Sequence, residues 1–135
     1  MIKQLAHLCI HSLDLEKTRW FYCDVLGAEV TFDFDKNGSL FGYYFKLGGS
    51  TFLEVFQGEP GDANGNIKHI CLEVEDIDCV VAALKENGVE VTDKKLGGDH
   101  SWQAWTADPN GVRIEFHQYT KESMQLVGGT CPVTW

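Results

Sequence analysis

Ala6-His7-Leu8-Cys9-Ile10, followed by Asp14-Leu15-Glu16, returns as Lys68-His69-Ile70-Cys71-Leu72, followed by Asp76-Ile77-Asp78, at an offset of 62 residues (7 to 69). After one deletion Gly27, Glu29 and Val30 recur as Gly88, Glu90 and Val91 at an offset of 61, and Glu54 and Glu115 share that second offset. The chain therefore reads as two copies of one motif. Each copy offers one histidine from its first strand and one glutamate from its last, so the two halves together have the makings of a single four-ligand metal site.

Local patterning around these stretches gives the order of elements. Residues 5 to 11 read as a strand, and Asp14 is placed to cap a helix over about 15 to 26. Thr18, Phe21, Tyr22, Val25 and Leu26 follow its apolar stripe, and Gly27 ends it. Strands are expected at roughly 28 to 35, 40 to 47 and 50 to 57, separated by Asn37-Gly38 and Gly48-Gly49, which supply turn chemistry. Gly58 to Asn66 is polar, glycine-rich and without periodicity, and reads as a connection. The second half repeats the order: a strand over about 67 to 74, and a helix capped by Asp76 with Ile77, Val80, Val81 and Leu84 on one face. Strands near 89 to 94, 102 to 107 and 112 to 118 complete it, the last two joined by Asp108-Pro109-Asn110-Gly111. The fold expected is α+β, with paired βαβββ modules forming a curved sheet cup. Residues 1–135 would form one domain: module 1 over about 1–57, a linker over 58–66, module 2 over about 67–118 and a tail over 119–135. The tail shows little periodicity, Gly128-Gly129 and Pro132 argue against a regular element in it, and Trp135 reads as a docking residue.

The period of two sorts each strand into faces. Leu8 and Ile10 oppose His7, Cys9 and His11; Ile70, Leu72 and Val74 oppose His69, Cys71 and Glu73; Ile114 and Phe116 oppose Arg113, Glu115 and His117. The apolar sides suit packing beneath the two helices, which leaves His, Glu and Arg on the other face. On the strand from Thr51 to Gln57, Phe52, Glu54 and Phe56 would point into the cup and give it an apolar wall. A lone strand histidine is most often a satisfied core or surface residue. Repeat equivalence lifts His7, Glu54, His69 and Glu115 above that reading, whereas His11, His100 and His117 have no counterpart. Arg19 and Arg113 are, by default, solvated or paired cations.

Composition narrows the classes. A length of 135 residues suits one compact domain, and a formal net charge of −9 argues against nucleic acid or an anionic membrane as partner. No stretch is apolar for long enough to span a bilayer, and the first residues do not resemble a signal peptide. Five cysteines, an odd number without a Cys-x-x-Cys pair, fit a reducing cytoplasm. Cys9 and Cys71, among apolar neighbours, read as buried free thiols acting as small hydrophobes.

With these residues assembled, the chain resembles the vicinal oxygen chelate superfamily over about residues 4 to 118. The resemblance rests on His7, on Asp14-Leu15-Glu16 through Trp20-Phe21-Tyr22 and Leu26-Gly27, and on Phe52-Leu53-Glu54-Val55-Phe56. It continues in His69-Ile70-Cys71-Leu72-Glu73-Val74-Glu75-Asp76-Ile77 and in Ala107-Asp108-Pro109-Asn110-Gly111-Val112-Arg113-Ile114-Glu115. It implies paired βαβββ modules around one divalent metal, usually in a homodimer, with the ligand positions falling on His7, Glu54, His69 and Glu115. That His, Glu, His, Glu order resembles bacterial-type glyoxalase I, whereas methylmalonyl-CoA epimerase typically has Gln where this chain has Glu54. The resemblance implies a glyoxalase I-like lyase or isomerase, with Glu115 as catalytic base and Glu54 as its partner. The substrate would be a small hemithioacetal or α-hydroxycarbonyl compound that reacts through an enediolate. The alternatives are an epimerase, or a binding or resistance protein without turnover. Nitrogen and carboxylate ligands suit Ni²⁺ or Zn²⁺, and also Co²⁺ or Mn²⁺. His11, Arg19, Phe52, Phe56 and Arg113 are the substrate-binding candidates. Where bacterial glyoxalase I usually carries an arginine that meets a glutathione carboxylate, this chain has His11, a shorter and conditional cation.

Overall fold

The structure, a computed structural model, describes residues 5, 7–59, 61, 69–128 and 131. The chain divides into two compact units, Met1–Gly65 and Asn66–Trp135. Each holds a four-stranded sheet of the same topology. The first is ordered β1-β4-β3-β2, from β1 (His7–Ser12), β2 (Glu29–Lys36), β3 (Ser39–Gly48) and β4 (Thr51–Gln57). The second is ordered β5-β8-β7-β6, from β5 (Ile70–Glu73), β6 (Lys95–Leu96), β7 (Trp102–Ala107) and β8 (Arg113–Gln118). In both sheets the first and last strands pair in parallel, and the remaining pairings are antiparallel.

The helices form where the sequence marks them. In α1 (Leu15–Arg19) the Asp14 carboxylate accepts from Lys17 N at 2.9 Å, which satisfies one of the amides a helix start leaves unpaired. α1 runs on as a π-helical turn over Trp20–Val25, closed by the Leu26 amide on the Phe21 carbonyl, and Gly27 stops it at φ +75°. Asp76 caps α2 (Ile77–Glu86) through the Asp78 and Cys79 amides, and Gly88 ends it at φ +72°.

Behind each sheet lies an apolar layer. In the first unit Leu53, Val55 and Phe45, none of them exposed, pack with Phe21 and Tyr22 of the helical segment. In the second, Ile114, Phe116 and Ala104 pack with Ile77 and Leu84. The opposite face of each sheet is thereby left to the ionisable and aromatic residues.

Two expectations need correction. The strand expected near 89 to 94 is reduced to a bridge between Val91 and Thr106, and regular pairing begins only at Lys95–Leu96. Side-chain hydroxyls account for the difference. The Trp105 amide donates to Thr92 Oγ1 and Thr106 Oγ1 donates to the Glu90 carbonyl, so these hydroxyls take up partners that a ladder would have used. Among the described residues the tail holds one short helix, α3 (Met124–Val127), because Ser123 is buried and its hydroxyl ties Thr120 N and the His100 carbonyl together. The connection over 62–66 and the docking role of Trp135 lie outside the described residues. Among the described residues no helix is long and apolar enough to cross a membrane.

Candidate metal centre

In the first unit the polar face is built by β1, β4 and β3. β1 and β4 pair His7 with Phe52 and Cys9 with Glu54, and the alternation of strand side chains puts His7 and Glu54 on one side. Nε2 of His7 stands 3.9 Å from Glu54 Oε2. Nδ1 of His7 shares a 3.2 Å hydrogen bond with the hydroxyl of Tyr44, the cross-strand partner of Glu54. With Nδ1–H donating, Nε2 keeps its lone pair for a cation, as in metal-binding histidines oriented through their second nitrogen.

The second unit repeats the pair. His69, just before β5, brings Nε2 to 3.2 Å from Glu115 Oε2. Trp105, paired with Glu115 across β7 and β8 as Tyr44 is with Glu54, sets its ring edgewise to His69 at 4.9 Å and 74°. Two ligands held about 2.1 Å from one ion stand about 3.0–3.4 Å apart at ordinary coordination angles. The His69–Glu115 pair meets that spacing as it stands, and the His7–Glu54 pair is somewhat wider. Both pairs offer one imidazole nitrogen and one carboxylate oxygen, a donor set that fits a borderline divalent transition metal.

Around Glu54 the face is aromatic. Phe52 stacks on Tyr44 at 5.1 Å, Tyr44 on Phe32 at 4.5 Å, and Phe56 leans on Phe34 at 4.6 Å. Gly42 permits this approach, since a Cβ there would stand 2.9 Å from Phe56 and 2.2 Å from the Val55 carbonyl. Phe52 and Phe56 therefore lie where the alternation puts them. His11 lies on the same strand face beside Phe56, with Nδ1 3.1 Å from the Glu59 carbonyl and its ring against Gly58. Arg113 is exposed on the face that holds Glu115, its guanidinium 5.0 Å over the Trp105 ring. Arg19 is placed apart from the other substrate-binding candidates, as the paired cation that is its default reading. It extends from α1, on the helix side of the sheet, to Asp24 at 3.6 Å, and is not brought to the face of His7 and Glu54. An open groove of about 790 Å³ runs along Trp105, Thr92 and Arg113, and its lining includes neither His69 nor Glu115.

Two residues acquire importance only in the structure. His117 is 7 % exposed, and its Nε2 stands 3.0 Å from Glu115 Oε1, but out of line for a hydrogen bond, so that this buried nitrogen has no hydrogen-bond partner among the described residues. Cys71 is not a buried hydrophobe. It is exposed on the polar face with its thiol on Glu115, and desolvation, followed by the Glu115 charge, pushes that thiol up to about 12. Cys9 is exposed likewise, its thiol raised by desolvation and by a hydrogen bond to Glu54. Ligand atoms of Cys71, Glu115 and His117 all lie within 4.8 Å of one another. The one sequence signal for this cluster was the period of two, which put all three on the polar face. His117 had no repeat partner to raise it further, because the first unit has Phe56 at that place.

Residues 4–116 match the family model described as the Glyoxalase/Bleomycin resistance protein/Dioxygenase superfamily. The chain belongs to this superfamily. It is 30% identical over 129 residues to the mitochondrial methylmalonyl-CoA epimerase of Bos taurus, covering 85% of this chain and 74% of that one. It is 28% identical over 123 residues to a probable lactoylglutathione lyase of Synechocystis, covering 84% of this chain and 94% of the relative. Among solved structures, an antibiotic binding protein from Streptomyces sp. CB03234 superposes with a TM-score of 0.73 at 25% identity, over 88% of this chain and 98% of its own. The α+β topology of two four-stranded mixed sheets is the fold of this superfamily.

Proposed function

We propose that this chain is a metal-dependent lyase or isomerase of the glyoxalase I kind, moving a proton between adjacent carbons of a small hemithioacetal or α-hydroxycarbonyl substrate. The observation that carries the reading is the repetition of one ligand pair. In each unit a repeat-related histidine and glutamate meet, at 3.9 Å and 3.2 Å, with an aromatic ring opposite the glutamate. His7, Glu54, His69 and Glu115 are the residues that would hold one divalent ion, Ni²⁺ or Zn²⁺, with Co²⁺ or Mn²⁺ as further candidates. Bound there, such an ion supplies Lewis-acid polarisation of two neighbouring substrate oxygens.

Glu115 carries the proton. It is buried, which sharpens its electrostatic interactions, and its two oxygens face different imidazoles, so one oxygen stays oriented while the other accepts a proton from carbon. Glu54, less buried, is its partner at the second carbon. The Phe52, Tyr44 and Phe32 stack and the Phe56–Phe34 pair give the substrate an apolar wall that excludes water. His11 and Arg113 are the cationic or conditionally cationic groups available to a substrate carboxylate. A homodimer is part of the proposal, since single four-stranded sheets leave strand edges that need cover. Sedimentation at micromolar concentration should then show a species of twice 15.1 kDa.

The test is metal analysis of protein purified without chelator. About one divalent transition metal per chain is expected; His69→Ala should lower it sharply and His100→Ala should not. Equal loss from both, or from neither, overturns the assignment.

A second reading is an epimerase, favoured by the 30% identity to a methylmalonyl-CoA epimerase. It uses the same proton transfer next to a carbonyl. Solvent deuterium incorporation into a hemithioacetal against incorporation into a 2-methyl acyl thioester tells the two apart, and incorporation into neither leaves a binding module.

A further inference from the structure

We propose that the second unit carries a thiolate-containing transition-metal site of its own, made by Cys71, Glu115 and His117. It shares Glu115 with the four-residue set proposed above and, when filled, would take the Glu115 oxygen that the proposed reaction uses as base, but it requires neither His7 nor Glu54.

Geometry carries the assignment. The three ligand atoms lie within 4.8 Å of one another, and Nε2 of His117 is 3.0 Å from Glu115 Oε1, the oxygen that does not face His69. In a tetrahedral set with about 2.3 Å to sulfur and about 2.1 Å to nitrogen and oxygen, the ligand atoms stand about 3.4–3.6 Å apart. The cluster reaches that spacing by a small rotation of Cys71, whose exposed position on β5 leaves its side chain room to turn and gives a cation a way in. β5 and β8 pair Cys71 with Glu115, and alternation puts His117 one pleat further along the same face, so the backbone register itself assembles the three.

The second, independent sign is the His117 nitrogen. Nε2 is buried and 3.0 Å from a carboxylate oxygen, yet out of line with it, so that among the described residues it has no hydrogen-bond partner. Buried polar atoms are ordinarily satisfied, and an exception asks for an explanation. A cation held between nitrogen, carboxylate and sulfur satisfies all three at once, where a hydrogen atom on any one of them serves only a pair. The first unit shows what is special here. Cys9 also lies against Glu54, but the place of His117 is taken by Phe56, so no third ligand arises. A set of one thiolate, one imidazole and one carboxylate selects borderline to soft divalent metals such as Zn²⁺, Co²⁺ or Cd²⁺ over Mg²⁺ and Ca²⁺, and leaves a fourth position open.

The experiment is a Co²⁺ titration of the full chain, read by ultraviolet absorption for a sulfur-to-cobalt charge-transfer band. Wild type should develop the band with about one equivalent. Cys71→Ser, at an exposed position where folding is not at stake, should abolish it. His117→Phe, the residue type the first unit uses, should weaken cobalt affinity at least about ten-fold, and His117→Gln checks the same point should the phenylalanine variant misfold. His7→Ala and Cys9→Ser should keep the band. Failure of the four-residue reading appears as unchanged metal content in His7→Ala and leaves this site standing. Cobalt bound without the band, a band that survives Cys71→Ser, or a band lost in His7→Ala each overturns the proposal.

Discussion

Around Glu54 the sheet face is hydrocarbon: Phe32, Phe34, Tyr44, Phe52 and Phe56 touch in a row. Around Glu115 the places equivalent to Phe34, Phe52 and Phe56 are held by Lys95, Arg113 and His117, Thr92 faces Trp105 across the strands where Phe32 faces Tyr44, and of these places only Trp105 stays aromatic. Behind the two sheets the equivalent places change size but stay uncharged, Leu53 for Ile114, Val55 for Phe116, Tyr43 for Ala104 and Phe45 for Thr106. A duplicated fold has thus kept its packing layer free of charge in both copies while its open faces diverged, one toward apolar contact and one toward charged and polar groups. Packing restrains only the buried side of a strand, and the other side is free to specialise.

The most severe way to break this comparison is at its two glutamates. On the proposed reading Glu115→Gln would keep a potential oxygen ligand and remove the proposed base, so turnover should fall about 10²–10⁴-fold while metal content falls less. Glu54→Gln should cost turnover less than that. Steady-state rates measured beside metal content decide it, and equal losses would mean that the two faces do the same chemistry.

Next in size comes the buried layer. Leu53→Ala and Ile114→Ala, each removing a side chain with no exposure, should each destabilise by about 2–5 kcal/mol in denaturant titration. Clearly unequal values would show that the halves differ behind the sheet as well as in front.

A smaller effect concerns the rim. On the proposed reading, with His11 where glyoxalase I-like enzymes carry an arginine, a glutathione substrate would lack one charge-assisted contact worth about 1.5–3 kcal/mol. His11→Arg should improve a glutathione hemithioacetal about ten- to hundred-fold over that of a smaller thiol. Unchanged and efficient glutathione turnover would place the carboxylate contact elsewhere, with Arg113 the first candidate.

The smallest concerns Tyr43, buried in the first unit where the second has Ala104. Desolvation and then its hydrogen bond to Glu16, at 2.8 Å, raise its phenol from 10.0 to about 12. The raised value means that the folded state favours the neutral phenol. That contribution is complete below pH 10 and is lost as pH rises through 10 toward 12. Tyr43→Phe should cost about 1 kcal/mol at neutral pH and flatten the alkaline limb of the stability profile.

Much of this was legible in the residues. Asp14 and Asp76 announced the helix starts, Gly27 and Gly88 the stops, and the alternation in Thr51–Gln57 and Arg113–Gln118 assigned every residue to its face. These are local properties, set within a few bonds of each residue. The ligand candidates were legible because repetition is itself visible in a sequence. What was not legible had no local signature. The bridge at Val91 replaced a strand because Thr92 and Thr106 hydroxyls compete for ladder partners across the sheet.

The sequence by itself determined the two βαβββ copies, their apolar backs, and the face on which His7, Glu54, His69 and Glu115 stand. Only the tertiary structure decided that Arg19 turns to Asp24 on the helix side, that Cys71 and Cys9 present their thiols to carboxylates, and that His117 brings a buried nitrogen without a hydrogen-bond partner among the described residues to 3.0 Å from Glu115. The physical reason is distance along the chain. Periodicity reports which side of a strand a residue takes, whereas contact between residues on neighbouring strands depends on register, and register is settled by the pairing of β5 with β8 and β1 with β4 after the chain has folded.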